Sequence, residues 1–289
     1  MSARKYFSLL FMIFIFSGIT NAQRKPFFFI QMTDPQFGFI EANKSFEKET
    51  VLYQKAVDEV NRLNPDFVVI TGDIVNKATD SIQWAEFKRL TSKIKPSILV
   101  YITPGNHDIS NNPTQQSIDE YKLSHGDDKF SFRHKKNMFI GFNSCLIKAD
   151  APELEQKQFE WLENELKNVK RSNNIVLFCH QPFFVDKPDE PEQYFNIGIE
   201  KRMKYLDLFV RNNVNYVFAG HLHRNASGKY DNLNMITTSA VGKPLGDAPS
   251  GFRIVIVSKQ GITSTYYGLD DMPESINLKL NNPNKIKHK

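Results

Sequence analysis

Residues 66–73 read Asp66-Phe67-Val68-Val69-Ile70-Thr71-Gly72-Asp73, a short apolar, β-branched run closed by a glycine and a carboxylate. Pro65 precedes it, so the run is bounded on both sides and predicts a strand buried on both faces. The same phrase recurs outward along the chain. Phe27 to Met32 ends at Asp34, Ser97 to Thr103 ends in Pro104-Gly105-Asn106-His107-Asp108, Asn174 to Cys179 ends in His180, and Val214 to Ala219 ends in Gly220-His221-Leu222-His223. Amphipathic stretches separate them and predict helices: Ser45 to Leu63 (Phe46, Tyr53, Val57 and Val60 on one face), Ser81 to Ile94, Glu153 to Val169 and Ile199 to Arg211. Asn111 to His125 is polar and predicts a loop with one short helix. Lys129 to His134 and Met138 to Ser144 predict a hairpin, and the stretch from Gly228 to Tyr267 predicts further strands. Strands that alternate with helices and then finish the chain predict an α/β fold of packed sheets with helices outside. No repeat or linker divides residues 23–270, so one domain is expected, followed by a frayed tail over 271–289.

The chain has 289 residues, 40% hydrophobic and 24% charged, which is globular composition. Its net charge of +5 is too mild to argue for nucleic acid, and no basic cluster with interleaved aromatics is present. Residues 1–22 read as a secretory signal. Arg4 and Lys5 form the charged start, Phe7 to Phe16 is nearly all apolar, and Thr20-Asn21-Ala22 precedes an expected cleavage before Gln23. Export to a periplasmic or extracellular location is the expectation. The apolar run is shorter than the roughly 20 residues a span requires, so no stable membrane span is expected after cleavage. Cys145 and Cys179 both fall in or at the end of runs that read as buried strands. Free buried thiols are the favoured reading and a disulfide the other.

The chemistry gathers at strand ends. Asp34, Asp73, Asn106, His180, His221 and His223 each lie at or just past the end of an apolar run, and ligands of α/β sheets bind outside the carboxyl ends of strands. Oxygen and imidazole donors together suit a two-cation site able to clamp a phosphoryl group and a hydroxide.

Gly72-Asp73, Gly105-Asn106-His107-Asp108, His180 and Gly220-His221-Leu222-His223 resemble, in order, the blocks of the calcineurin-like metallophosphoesterase superfamily. Asp34-Pro35-Gln36-Phe37-Gly38, Pro104 to Ser110, Tyr194-Phe195-Asn196, the His221 to Ala226 stretch and Ser239-Ala240-Val241-Gly242 resemble more closely its family of serine/threonine phosphatases named calcineurin-like phosphoesterase domain-containing protein one. The resemblance implies a four-layer α/β/β/α sandwich of two mixed β-sheets flanked by helices. It implies a first divalent metal held by Asp34, Gln36, Asp73 and His223, and a second held by Asp73, Asn106, His180 and His221, with Asp73 shared. A hydroxide bridging the two would attack phosphorus, and His107 would protonate the leaving oxygen or stabilise charge there.

Gln36 stands where the wider superfamily usually has His. As a ligand, its amide oxygen favours Mn or Mg over Zn, so among Mn, Fe, Mg and Zn the reading favours Mn; the other use is a hydrogen bond beside the site. Asp108 either orients His107 or caps the following turn. Arg224 either clamps a phosphate oxygen or forms a structural ion pair, and Tyr194 either walls the pocket or packs in the core. The expected substrate is a phosphorylated small molecule or phosphoprotein, hydrolysed as a monoester. The alternatives are a phosphodiesterase on the same metal core and a non-catalytic module that binds a phospho-ligand. Oligomeric state has no signal in the sequence.

Overall fold

The computed structural model describes residues 25–278 apart from 150, 170, 171 and 173; the expected signal segment 1–22 and residues 279–289 lie outside the described residues. In chain order the elements are β1 (Phe27–Met32), α1 (Glu47–Leu63), β2 (Phe67–Thr71), α2 (Ser81–Thr91), β3 (Leu99–Thr103), α3 (Gln115–His125), β4 (Phe130–His134), β5 (Asn137–Gly141), α4 (Cys145–Lys148), α5 (Pro152–Lys167), β6 (Ile175–Phe178), α6 (Ile199–Arg211), β7 (Tyr216–Ala219), β8 (Ala226–Tyr230), β9 (Leu233–Thr237), β10 (Gly251–Ser258) and β11 (Gly261–Gly268).

The alternation within β1 sets the layering. Phe27 and Phe29 face one way and join Phe67, Val69, Phe139, Phe178 and Phe218 between the two sheets. Phe28, Ile30 and Met32 face the other way and meet Tyr53 and Val57 of α1 and Trp84 and Phe87 of α2. Successive strand residues point to opposite faces, so a strand covered on both sides is apolar throughout. The first sheet runs β11-β10-β1-β2-β3 and the second β4-β5-β6-β7-β9-β8. β1, β2 and β3 are parallel, as are β5, β6, β7 and β9, while β10, β11, β4 and β8 pair antiparallel. The outer face of the second sheet packs Ile140, Leu177 and Val217 against Leu162 of α5 and Leu206 and Phe209 of α6. The result is the expected sandwich of two mixed sheets with helices outside.

The ring layer between the sheets is dense. Phe29 stacks on Phe67 with centroids 4.8 Å apart and meets Phe178 and Phe218 edge-on at 5.8 and 6.1 Å. Edge and offset geometries of this kind add to area burial.

Three segments differ from the sequence expectation. Thr114 and Ser117 form a reciprocal capping box, so the short helix of the 111–125 stretch runs for 11 residues with Ile118 and Tyr121 buried. The strand expected from Met138 to Ser144 stops at Gly141, because the Asn143 side chain accepts from the Cys145 N–H and starts the four-residue α4. Residues 271–278, read as part of a frayed tail, lie along α1: Arg62 donates to the carbonyls of Pro273 and Glu274 at 2.9 and 2.8 Å, and Met272, Ile276 and Leu278 pack on the core. Cys145 and Cys179 are free and buried, and burial pushes both thiols up. Among the described residues no helix is long and apolar enough to cross a membrane.

Candidate metal centre

The parallel strands deliver their chain ends to one edge of the sandwich. Asp34 and Gln36 follow β1, Asp73 follows β2, Asn106 to Asp108 follow β3, His180 follows β6, and His221 and His223 follow β7. Asp34, Asp73 and His223 form one group with ligand atoms within 4.8 Å of one another, and Asp73, His180 and His221 form another, so Asp73 belongs to both. His180 Nε2 lies 3.2 Å from Asp73 Oδ2 and 3.1 Å from His221 Nδ1, and His223 Nε2 lies 3.3 Å from Asp34 Oδ1.

The backbone bends sharply to achieve this. Asp34, Gln36, Asp73, His221 and His223 all have positive φ, between 39° and 67°, so five of the seven candidate ligands sit in the left-handed region. Such residues cost about 1–3 kcal/mol each and persist where the surroundings over-determine them. The glycines of the motifs are the complement of that crowding. A Cβ on Gly72, itself at φ +81°, would come within 2.6 Å of His180 Nδ1, and one on Gly220 would collide with Thr33 and Asp34.

Carbonyls and hydroxyls orient the ligands. The carbonyls of Thr71 and Lys243 accept from His180 Nδ1 at 2.8 Å and from His223 Nδ1 at 2.6 Å, which leaves each Nε2 aimed into the site. Thr33 Oγ1 donates to Asp34 Oδ2 at 2.7 Å, and the His221 N–H donates to the same oxygen at 3.0 Å. Gln36 gives its amide nitrogen to Asn76 Oδ1 at 3.3 Å. Asp34 Oδ1, Gln36 Oε1 and Asn106 Oδ1 are buried and have no hydrogen-bond partner. Buried polar atoms are normally paired, so unpartnered oxygens next to paired imidazoles and carboxylates form a donor set that fits a divalent cation.

The electrostatics agree. Burial alone would depress His180, but the Asp73 carboxylate outweighs it and lifts the ring to about 9. Burial opposes Asp73 too, yet His180 and the neighbouring imidazoles hold it well below the usual carboxylate range. Burial and the His180 charge push His221 down to about 4. Burial likewise opposes His223, and the Asp34 carboxylate still raises it. Protons thus sit where positive charge is favoured, and a bound cation competes with them.

His107 donates its backbone N–H to Asp73 Oδ1 at 2.9 Å, and its ring Nδ1 lies 2.9 Å from the Asn76 carbonyl. That carbonyl only accepts, so Nδ1 carries the hydrogen and Nε2 is left for chemistry. Asp108 takes neither of its two expected roles, orienting His107 or capping the turn that follows it. Its Oδ1 accepts from the N–H groups of Ile74 and Val75 at 2.8 and 3.2 Å, and its Oδ2 accepts from Gly105 N–H at 2.8 Å. Both oxygens are thereby committed to backbone, and the carboxylate ties the loop after β2 to the loop after β3 without touching the His107 ring. Burial and the Asp73 charge raise it to about 8 against those N–H bonds.

Tyr194 and Arg224 both reach the rim. Tyr194 is 67% exposed and its ring centroid lies 5.3 Å from that of His221. Its loop is braced by the buried Arg202, which donates to the carbonyls of Pro188, Glu190 and Ile197. Arg224 stands 6.0 Å over the Phe195 ring and has no carboxylate partner among the described residues. Asn76, Thr33, Thr71 and Lys243 were not singled out from sequence; two act through a carbonyl alone, which has no sequence signal.

Hard oxygen donors and imidazoles converging at the strand ends of two facing sheets define a metal-dependent phosphoesterase, a hydrolase of phosphoric esters. The chain belongs to the calcineurin-like phosphoesterase family, which matches residues 29–225. It is 36% identical over 269 residues, 86% of each chain, to the serine/threonine-protein phosphatase CPPED1 of Homo sapiens. It is 34% identical over 288 residues to CPPED1 of Danio rerio, covering 90% of this chain and 91% of the relative. A dimetal phosphatase from Danio rerio has the same fold, with TM-score 0.64 at 13% identity over 84% of this chain and 96% of that one. Family membership implies divalent metals at a binuclear centre and phosphorylated substrates.

Proposed function

We propose that this chain is a phosphomonoesterase acting on phosphorylated serine or threonine side chains, with two divalent cations held by the seven residues named above. The observation that carries the reading is the gathering of Asp34, Asp73, His180, His221 and His223 into two groups that share Asp73, with buried unpartnered oxygens on Gln36 and Asn106 of the neighbouring strand ends. Similarity to the CPPED1 phosphatases over most of both chains supports the substrate class. The bound cations supply Lewis-acid charge and an activated water. Asp73 neutralises part of that charge from a shared position. His107 Nε2 gives a proton to the departing oxygen, Arg224 pairs with a phosphate oxygen, and Tyr194 lines the approach. Purified protein starting at Gln23 should hydrolyse an aryl phosphate monoester faster than the matching diester and should lose that activity to a chelator. A faster diester rate would move the assignment to a phosphodiesterase. Bound metal with neither turnover would favour the binding-module reading.

Mn at the first site is part of the proposal, because Gln36 offers an amide oxygen where an imidazole would favour Zn. Gln36→His should shift metal selectivity towards Zn and remove stimulation by added Mn. Unchanged metal content and Mn response would assign Gln36 to hydrogen bonding alone. Export is proposed from residues 1–22, and the check is the mass of the chain recovered outside the cytoplasm. A start at Gln23 agrees with cleavage, and an intact Met1 opposes it.

A further inference from the structure

Arg253 lies on β10, a strand that carries no candidate ligand. It is only 8% exposed and has no carboxylate partner among the described residues. A buried charge without a counter-ion is costly and must be compensated by hydrogen bonds. Two are present: Nη2 donates to Asn225 Oδ1 at 2.8 Å and Nε to Thr238 Oγ1 at 3.0 Å.

Each acceptor starts a chain of bonds that ends at a different candidate ligand, one at the backbone carbonyl of His223 and the other at the ring of His180. On one side Asn225 Oδ1 also accepts from the Ser239 N–H at 3.2 Å, and Ser239 Oγ donates to the His223 carbonyl at 3.0 Å. On the other side Thr238 Oγ1 donates to Gln31 Oε1. Gln31 Nε2 donates to Thr71 Oγ1 at 2.8 Å, and the Thr71 carbonyl receives His180 Nδ1–H. The partners come from both sheets, and the two arms meet both at Arg253 and at the consecutive residues Thr238 and Ser239. The guanidinium is the side chain that bonds both arms, and its fixed fork holds two acceptors at a set separation.

We propose that Arg253 is the positioning residue of the metal centre: it sets the His223 main chain through Asn225 and Ser239, and the His180 ring through Thr238, Gln31 and Thr71. The proposal rests on the assignment of His180 and His223 as ligands of different metals.

The test is metal affinity of the folded protein, read by competition with a chromogenic chelator and independent of turnover. Arg253→Met keeps the bulk and removes both bonds; it should weaken metal binding about 10–100-fold, the usual effect of losing a partner behind a ligand. Arg253→Lys, which keeps the charge and can serve one acceptor, should recover part of that loss. Should Arg253→Met not fold, the single-arm variants decide. Asn225→Ala should weaken one metal of the pair and Thr238→Val the other. A purely structural Arg253 would lower the unfolding midpoint of metal-free protein and leave metal affinity intact. Wild-type affinities in the folded variants overturn the proposal. Wild-type protein that binds no divalent metal overturns the metal-centre reading itself.

Discussion

Asp73→Asn should lower metal content from about two ions per chain to below one and turnover about 10³-fold or more, because in the proposed arrangement Asp73, which belongs to both candidate ligand groups, serves both cations. Asp73 Oδ1 accepts from the His107 N–H, and Oδ2 faces His180 Nε2 at 3.2 Å. Asparagine keeps the first bond through its carbonyl oxygen. Its second arm becomes an NH2 that repels a cation and no longer counters the His180 charge. Elemental analysis of the folded variant measures the metal loss. Thermal unfolding separates it from misfolding: a metal at a thousandfold excess over its dissociation constant adds about 4 kcal/mol to wild-type stability, and the variant should lose that increment. A folded Asp73→Asn protein with two metals and near-wild-type turnover would show that Asp73 is not shared.

His107→Ala has the opposite signature. Metal content should stay at the wild-type level, since only the backbone N–H of His107 touches Asp73 and alanine keeps it. Turnover should fall about 10²-fold or more on an ester whose leaving group needs a proton. The loss should shrink on a nitrophenyl ester, whose leaving oxygen departs without one. Because Nδ1–H is held by the Asn76 carbonyl, the proton that His107 gives up must be the second proton of the imidazolium, carried on Nε2. Equal losses on both esters would reduce His107 to charge stabilisation, and no loss on either would remove it from the reaction.

The parts of the site legible from the residues are those with a type-and-place signal. Asp34, Asp73, Asn106, His180, His221 and His223 are polar groups at the ends of apolar runs, and the structure collects all of them at one edge. Gln36 is legible as a departure from a family pattern, and its Oε1 is buried without a hydrogen-bond partner. Asp108 has the same type and place as its neighbours but a different use, because three backbone N–H groups reach its carboxylate first. Tyr194 could not be told from a core aromatic by spacing; a loop tied by Arg202 and Glu190 turns it outward.

What the amino-acid order determines by itself is the alternation of apolar strands and amphipathic helices, hence the layered α/β class, and the residue types that meet at the strand ends. Those are local properties, carried by periodicity and side-chain chemistry within a few residues. Only the tertiary structure decides which sheet each strand joins, that five candidate ligands adopt left-handed backbone, and that carbonyls of Thr71, Asn76 and Lys243 orient the imidazoles. Only it joins Arg253 to both halves of the site. Backbone carbonyls are the same in every residue, and a bond such as Thr238 to Gln31, between residues 207 positions apart, exists only after both sheets have packed.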